Sequence, residues 1–392
     1  MKNKRVLLIE PEYKLKYPPL GLMKISTYHK RMGDEVIFHK GTSASIRDQH
    51  WDIIYITTMF TFYWKQTIET IKFYQRGKMK HNIKIGGILA SLLKEDVKAE
   101  TGIDPHFGLW DEVDRLPPDY SLINSIYNYA LNNASIGYMT KGCKNTCPFC
   151  AVPLLEPEYV DFIPLKEQLN KDKRDLILLD NNVLASPKFP EIIKEIKRCG
   201  FKREARHNNA YRHVDFNQGL DARYLSEDKM VLLSELPIKP LRIAFDDIKY
   251  KKLYTEKIRL AHKYGVKNLS NYILFNFEDT PDDFYYRLRL NIELNEELGL
   301  SIFSFPMKYV PLDAKDRKHI GPNWTKTRLR GIQCILHATR GVVGPKKSFF
   351  EAAFGRNVEE FKHIIEQPEE AIFYRSKMKP FEPIPIKESV LL

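Results

Sequence analysis

The sequence KGCKNTCPFC (residues 141–150) places Cys143, Cys147 and Cys150 within eight positions, in the pattern C-x₃-C-x₂-C. Three thiols this close together indicate a structural zinc site, a disulfide knot, or a holder for a cofactor with chemistry of its own. The flanking sequence decides between them, because it predicts which element the cysteines follow.

The segment around the cysteines alternates between strand and helix patterns. Strands are predicted at 135–140, 175–180, 214–218, 241–245, 270–276 and 302–309, and helices at 187–198, 226–236, 250–264 and 281–298. Six parallel βα units predict a partial (β/α)₆ barrel of the TIM type, whose chemistry lies at the carboxyl ends of its strands. The cysteines follow the first of these strands, where such a barrel has its active site.

The front of the chain predicts a separate α/β domain. Apolar strands are expected at 6–9, 35–38, 52–57 and 83–85, with helices at 20–32 and 64–74. Strands that alternate with helices favour a Rossmann-like parallel sheet, with ligands beyond the strand ends at Glu10, Thr57–Met59 and Gly86–Ile88. The expected domains are 1–125 for this sheet, 126–323 for the barrel and 324–392 for a helical extension with a loose tail.

Composition restricts the classes of protein. The 392 residues include only five cysteines, so a disulfide scaffold is excluded and a reducing cytoplasm is expected. No stretch reaches the ~20 apolar residues of a membrane span, so a soluble protein with no membrane partner is expected. The net charge of +12 has two interpretations, a nucleic-acid partner or a lysine-rich composition.

The ligand count favours an iron–sulfur cluster over zinc. Structural zinc takes four ligands, usually in two close pairs, and only Cys147 and Cys150 form such a pair. A [4Fe–4S] cluster normally takes four thiolates, so three cysteines would leave one iron open for a substrate.

This spacing, with Phe149 directly before the last cysteine, resembles the radical S-adenosylmethionine (SAM) superfamily. The resemblance covers residues 134–312 and implies that SAM binds the open iron and is cleaved reductively to a 5′-deoxyadenosyl radical. It also implies SAM contacts from Asp180, Asn181 and Asn182, although these residues replace the usual GGE motif. A loop-capping role for this Asp-Asn cluster is the alternative.

Two further segments resemble the same superfamily. In FNQGLDARYLSEDKM (216–230), Gln218, Asp221 and Arg223 are implied to face the SAM ribose and carboxylate; the alternative is that Asp221 and Arg223 pair with each other. In ILFNFEDTPDDFYYRL (273–288), the residues up to Asn276 are implied to meet the adenine. Asp279 and Thr280 are expected to cap the helix that follows.

The front domain resembles cobalamin-binding domains of radical SAM enzymes, in YPPLGLMKISTYHKRMGDEV (17–36) and GGILAS (86–91). It lacks the D-x-H-x-x-G motif that supplies a lower histidine ligand, since His29 and His39 have other neighbours. Two interpretations stay open: a cobalamin-binding domain, or a degenerate substrate-binding or structural domain.

The expected function is therefore that of an enzyme. The radical would act on an unactivated C–H bond of an unidentified substrate, with methylation as the natural outcome if cobalamin binds. A flavodoxin or ferredoxin is the expected reducing partner. Tyr138, Asp180 and Asn182 are expected at the barrel mouth, but no residue is assigned as catalytic. The alternative is a basic nucleic-acid-binding protein with a structural or redox-sensing cluster.

Overall fold

The structure is a computed structural model that describes residues 3–14, 17–77, 82–122, 129 and 133–374. The chain divides into two compact units. The first comprises residues 1–220, 226–239 and 310–319, and the second comprises residues 221–225, 240–309 and 320–392. Within the described ranges, no helix is both long and apolar enough to cross a membrane.

The first unit begins with a four-stranded parallel sheet. Its strands are β1 (Arg5–Glu10), β2 (Glu35–Lys40), β3 (Ile53–Thr58) and β4 (Ile83–Gly87), in the order β2-β1-β3-β4. The four apolar residues Val6 to Ile9 are fully buried, because β1 is an inner strand with both faces covered. In the register, Val6 pairs with Val36 on one side and with Ile53 on the other.

Helices connect and cover these strands. They are α1 (Leu20–Arg31), α2 (Ala44–Arg47), α3 (Trp64–Gln75), α4 (Ile88–Leu92), α5 (Lys94–Thr101) and α6 (Asp111–Asp114). The chain after Gly87 forms α4 and α5 rather than another strand. The core of this part includes Trp51, Ile54 and Tyr74.

A second parallel sheet follows in the first unit. It contains β5 (Ala134–Gly137), β6 (Asp175–Leu178) and β9 (Val214–Phe216), in that order. Its connections contain α7 (Val152–Leu155), α8 (Phe189–Arg198), the antiparallel hairpin of β7 (Arg206–His207) and β8 (Ala210–Tyr211), and α9 (Glu227–Ser234). The cysteines lie between β5 and α7, beyond the carboxyl end of the first strand.

The second unit contains a third parallel sheet and the helical extension. Its strands are β10 (Leu241–Arg242), β11 (Asn268–Phe275) and β12 (Ser301–Lys308), and its helices are α10 (Lys251–Lys263), α11 (Pro281–Leu298), α12 (Lys326–Ala338), α13 (Lys347–Phe354), α14 (Val358–Glu366) and α15 (Glu369–Phe373). The extension packs on α11 through an apolar cluster that includes Tyr285, Phe350 and Phe361.

The expected fold class is confirmed: parallel sheets and helices alternate, and a helical extension follows. The six strands predicted for the barrel are present as two three-stranded parallel sheets, one in each unit. The predicted boundary between residues 125 and 126, and the tail after residue 374, lie outside the described residues. The domain limits therefore stay predictions.

Candidate cofactor site at the cysteine loop

The cysteine loop, defined here as residues 142–158, is closed at its base by backbone hydrogen bonds. Lys141 N–H donates to Val160 carbonyl at 3.1 Å, and Val160 N–H donates back to Lys141 carbonyl at 3.0 Å. Cys143, Cys147 and Cys150 are partly exposed residues, and none forms a disulfide. The loop therefore places three partly exposed cysteines just beyond the end of β5.

Gly142 is required at the start of this loop. Its φ is +71°, and a Cβ there would lie 2.5 Å from the Glu158 carbonyl oxygen and 3.0 Å from that of Glu156. Its N–H donates to Glu156 Oε2 at 2.7 Å. Only glycine combines this conformation with so close a backbone approach.

Amide donors surround the sulfur of Cys143. Asn145 donates to it from its backbone N–H at 3.4 Å and from Nδ2 at 3.5 Å, and Asn182 Nδ2 donates at 3.4 Å. Hydrogen bonds of this kind stabilise a thiolate and tune the metal that it holds. Asn182, the last residue of the predicted DNN motif, therefore lies beside the first cysteine.

Asp180 holds the end of β5 in place. Its Oδ1 accepts hydrogen bonds from Met139 N–H at 2.9 Å, from Thr140 N–H, and from Thr140 Oγ1 at 2.7 Å. Its Oδ2 is buried and has no hydrogen-bond partner among the described residues. Burial raises the pKa of Asp180 to about 6, although these hydrogen bonds act to lower it. The structure thus gives Asp180 the loop-capping role of the alternative interpretation, and a contact to SAM stays a prediction.

Two residues that the sequence reasoning missed complete the loop. Glu156 accepts a hydrogen bond from Asn181 Nδ2 at 2.9 Å, and the Tyr159 hydroxyl donates to the Asn182 carbonyl at 2.9 Å. Glu156 thus bonds to both Gly142 and Asn181. No local motif marks these residues, since their partners lie 14 to 25 positions away in the chain.

Gln218 is solvent-exposed in the turn that ends β9. The turn closes through a hydrogen bond from Gly219 N–H to the Phe216 carbonyl, at 3.0 Å. Its neighbour Asn217 is buried and donates to the Tyr17 hydroxyl at 2.8 Å. Gln218 therefore presents an exposed side chain at the carboxyl end of β9.

In the second unit, Asp221 and Arg223 pair with each other. Arg223 Nε and Nη2 each donate to the Asp221 carboxylate at 2.8 Å, which is the alternative interpretation of this pair. Asn276 is buried with φ +68°, and its side chain accepts from Gly321 N–H at 2.8 Å and donates to the Tyr309 carbonyl at 3.1 Å. These side chains hold the second unit's own backbone, and their contacts with SAM stay predictions.

The helix cap expected after β11 is confirmed for Thr280. Thr280 Oγ1 accepts from Asp283 N–H at 3.1 Å while Asp283 Oδ2 accepts from Thr280 N–H at 3.0 Å, forming a capping box. Asp279 does not cap the helix. It pairs with the buried Arg287 at 2.7 Å instead.

The donor set fits a cluster better than a single ion. Within the described ranges, no three His, Cys, Asp or Glu side chains are arranged to hold one metal ion. A tetrahedral zinc needs ligands that converge on one point, whereas a [4Fe–4S] cluster takes its thiolates at separate corners. Three reduced thiols on one open loop, with amide donors to Cys143 Sγ, suit the second arrangement.

Comparisons with known proteins agree with this geometry. No protein-family model and no curated protein match the chain. Among solved structures, it is similar to the radical SAM methyltransferase TsrM from Kitasatospora setae with cobalamin and a [4Fe-4S] cluster bound, with a TM-score of 0.59, 14% identity, and coverage of 80% of this chain and 77% of that one. A second TsrM structure from that organism, with tryptophan substrate and the SAM analogue aza-SAM bound, gives a TM-score of 0.54 at 13% identity and covers 79% and 73%.

The chain shares the overall fold of these two structures. At this level of identity the likeness concerns the fold alone. In TsrM that fold carries cobalamin and a cluster; in this chain the cysteine loop stands directly after β5.

The sequence predicts a ligand beyond the carboxyl ends of the strands of the front sheet. His29 cannot offer a nitrogen there, because Nδ1 bonds to Asp34 at 2.7 Å and Nε2 bonds to the Tyr55 hydroxyl at 3.0 Å. Gly87 has φ +111°, and a Cβ there would lie 2.2 Å from the Thr58 carbonyl oxygen, so packing alone requires this glycine. A Cβ added to Gly86 at the same strand end would lie 3.9 Å from His106 Cβ, which is an ordinary van der Waals contact. His29 thus offers no nitrogen ligand at this strand end.

Proposed function

We propose that this chain is a radical SAM enzyme that holds a [4Fe–4S] cluster on Cys143, Cys147 and Cys150. The observation that carries the proposal is the set of three partly exposed cysteines on a loop directly after the first strand of a parallel sheet. When bound, such a cluster supplies the electron that cleaves SAM to methionine and a 5′-deoxyadenosyl radical. The expected electron donor is a flavodoxin or ferredoxin.

In this proposal the chain's own residues hold and shape the site. Gly142 and Glu156 close the base of the loop, and Asn145 and Asn182 donate hydrogen bonds to the first sulfur. Protein groups that orient the cofactor and exclude water direct the reaction to one hydrogen of the substrate. Gln218 is exposed and can meet a ligand.

For the reaction itself, we propose cobalamin-dependent methylation. TsrM, whose fold this chain shares, is a methyltransferase with bound cobalamin. The carboxyl end of the front sheet, beside Gly86, is the proposed location for the corrin nucleotide. Since His29 is occupied, the cobalamin would bind without a ligand from that histidine.

The test is a cleavage assay on protein purified and reconstituted without oxygen. The protein is reduced with dithionite and incubated with SAM, and 5′-deoxyadenosine and S-adenosylhomocysteine are measured by mass spectrometry. We expect 5′-deoxyadenosine above the level of Cys147→Ala, and S-adenosylhomocysteine as well if the chain transfers methyl groups with added cobalamin. Cys334→Ala, which removes a buried thiol, serves as the matched control. The proposal would be refuted if neither product exceeded the level found with Cys147→Ala.

A basic groove supports a second candidate, a nucleic-acid partner. The groove encloses about 650 Å³ and its cations are Lys194, Lys197, Arg198, Lys202 and Arg203. Clustered cations of this kind bind phosphate backbones in a salt-dependent manner. Fluorescence anisotropy with a labelled single-stranded RNA tests it: R198E/R203E should weaken binding at least tenfold, and equal binding by the variant would exclude this groove.

A further inference from the structure

A cluster of buried charges lies beside the base of the cysteine loop, within the first unit. Lys24 of α1 has a side chain that is only 3% exposed, and its Nζ lies 3.5 Å from Asp114 Oδ1. It also donates to the Asp114 carbonyl. Lys141, whose side chain is 6% exposed, forms an ion pair with the other carboxylate oxygen of Asp114. Two ammonium groups therefore share one carboxylate.

The ring of Tyr138 lies close to both lysines. Its centroid is 5.3 Å from Lys24 Nζ and 4.8 Å from Lys141 Nζ. Burial lowers the pKa of Lys24; Asp114 opposes this effect, and Lys141 adds to it. Burying such charges costs more than their attraction returns unless the geometry is very good. The cluster therefore calls for an explanation other than stability.

The position of the cluster suggests that explanation. Lys141 carries the backbone hydrogen bonds that close the loop and stands two residues before Cys143. The charges of Glu156 and Asp180 act on Tyr138 together with that of Asp114. Lys24 and Asp114 are thus linked by ion pairs to Lys141 at the base of the loop, and the two lysine side chains are shielded from solvent, where salt screens charges less.

We propose that Lys24 is a positioning residue for the cysteine loop, and that the Lys24–Asp114–Lys141 cluster sets the reduction potential of the cofactor bound there. This inference rests on the proposed function. A positive charge favours the reduced cluster, which is the more negative state, and a negative charge disfavours it. Removing the charge of Lys24 should lower the midpoint potential, and removing that of Asp114 should raise it, whatever the total charge around the site.

The test is a redox titration of the reconstituted protein, followed by EPR, on wild type, Lys24→Met and Asp114→Asn. By Coulomb's law with an effective dielectric constant of about 20, we expect the loss of one unit charge near the loop to change the reduced-to-oxidised ratio by about fourfold. For one electron this is roughly 35 mV. Lys24→Arg should restore the wild-type value. Lys30→Met is the matched control, since Lys30 is on the same helix but its side chain is 43% exposed.

Opposite shifts in Lys24→Met and Asp114→Asn, with none in Lys30→Met, would support the inference. Shifts of the same sign, or no shift in variants that carry as much cluster as wild type, would overturn it. If Lys24→Met takes up no cluster, Asp114→Asn decides, and its shift must be positive. A wild-type chain that takes up no cluster would refute the proposed function itself, which distinguishes the two failures.

Discussion

Replacing Gly142 by alanine tests whether the cysteine loop has the geometry described. The added Cβ would lie 2.5 Å from the Glu158 carbonyl oxygen, a backbone atom that cannot rotate away. A left-handed conformation costs an L-residue about 1–2 kcal/mol, and relieving the overlap costs about 1–3 kcal/mol more. Gly142→Ala should therefore lower the free energy of unfolding by about 2–5 kcal/mol, or open the loop and lose its cofactor.

The matched control is Gly102→Ala. Gly102 has the same φ of +71°, but no atom lies within 4 Å of the position that a Cβ would take there, so only the conformational cost of about 1–2 kcal/mol applies. Urea unfolding of both variants, together with iron content after reconstitution, measures the difference. We expect Gly142→Ala to be less stable than the control and to hold less than half of its iron. Equal stability and equal iron in the two variants would refute the reasoning about this loop.

Three further predictions follow from single contacts. Burial raises the pKa of Asp246 to about 6, so the folded chain binds a proton that the unfolded chain has already lost. Stability therefore falls as pH rises, by about 1 kcal/mol from pH 5 to pH 7. Thermal unfolding of Asp246→Asn should lack this loss, and a pH dependence of stability equal to that of the wild type would contradict the prediction. Asn276→Ala removes the bond to Gly321 N–H and leaves an alanine at φ +68°, so chemical unfolding should show a loss of about 3 kcal/mol, whereas a loss below about 1 kcal/mol would exclude the buried contact. Asn182→Asp places a carboxylate beside Cys143 Sγ, and a colorimetric iron assay should find less iron per chain than in wild type; equal iron would argue against that contact.

Local sequence signals were sufficient to predict the bounds of the helices closely. Helix α11 begins at Pro281 and ends at Leu298, as predicted, because the Thr280 capping box starts it and Gly299, at φ +63°, stops it. Both signals lie within a few residues of the helix ends, so the sequence alone contains them.

Strand ends were predicted less well, because contacts from distant residues decide them. The strand expected at 135–140 ends at Gly137, since the N–H groups of Met139 and Thr140 donate to Asp180 and leave the sheet. The strand expected at 214–218 ends at Phe216, where the Gly219 turn closes. Each of these strands has the predicted position but is shorter than its apolar pattern.

The candidate site also has one part that depends on local sequence and another that depends on contacts between distant residues. The spacing of its three cysteines is local, and it was sufficient to predict the loop after the first strand of the second sheet and to favour an iron–sulfur cluster there. The roles of Glu156 and of Asp114 depend on partners far apart in sequence, such as Lys24, 90 positions from Asp114. No pattern in a single sequence marks pairs of that kind.

In the proposed site, three thiolates hold a cluster and leave one iron without a protein ligand. The most direct measurement is the EPR spectrum of the reduced, reconstituted protein before and after addition of SAM. We expect a [4Fe–4S] signal whose g values change when SAM binds the open iron. A cluster signal whose g values do not change on addition of SAM, or zinc in place of iron on the purified chain, would contradict the proposal of an open iron.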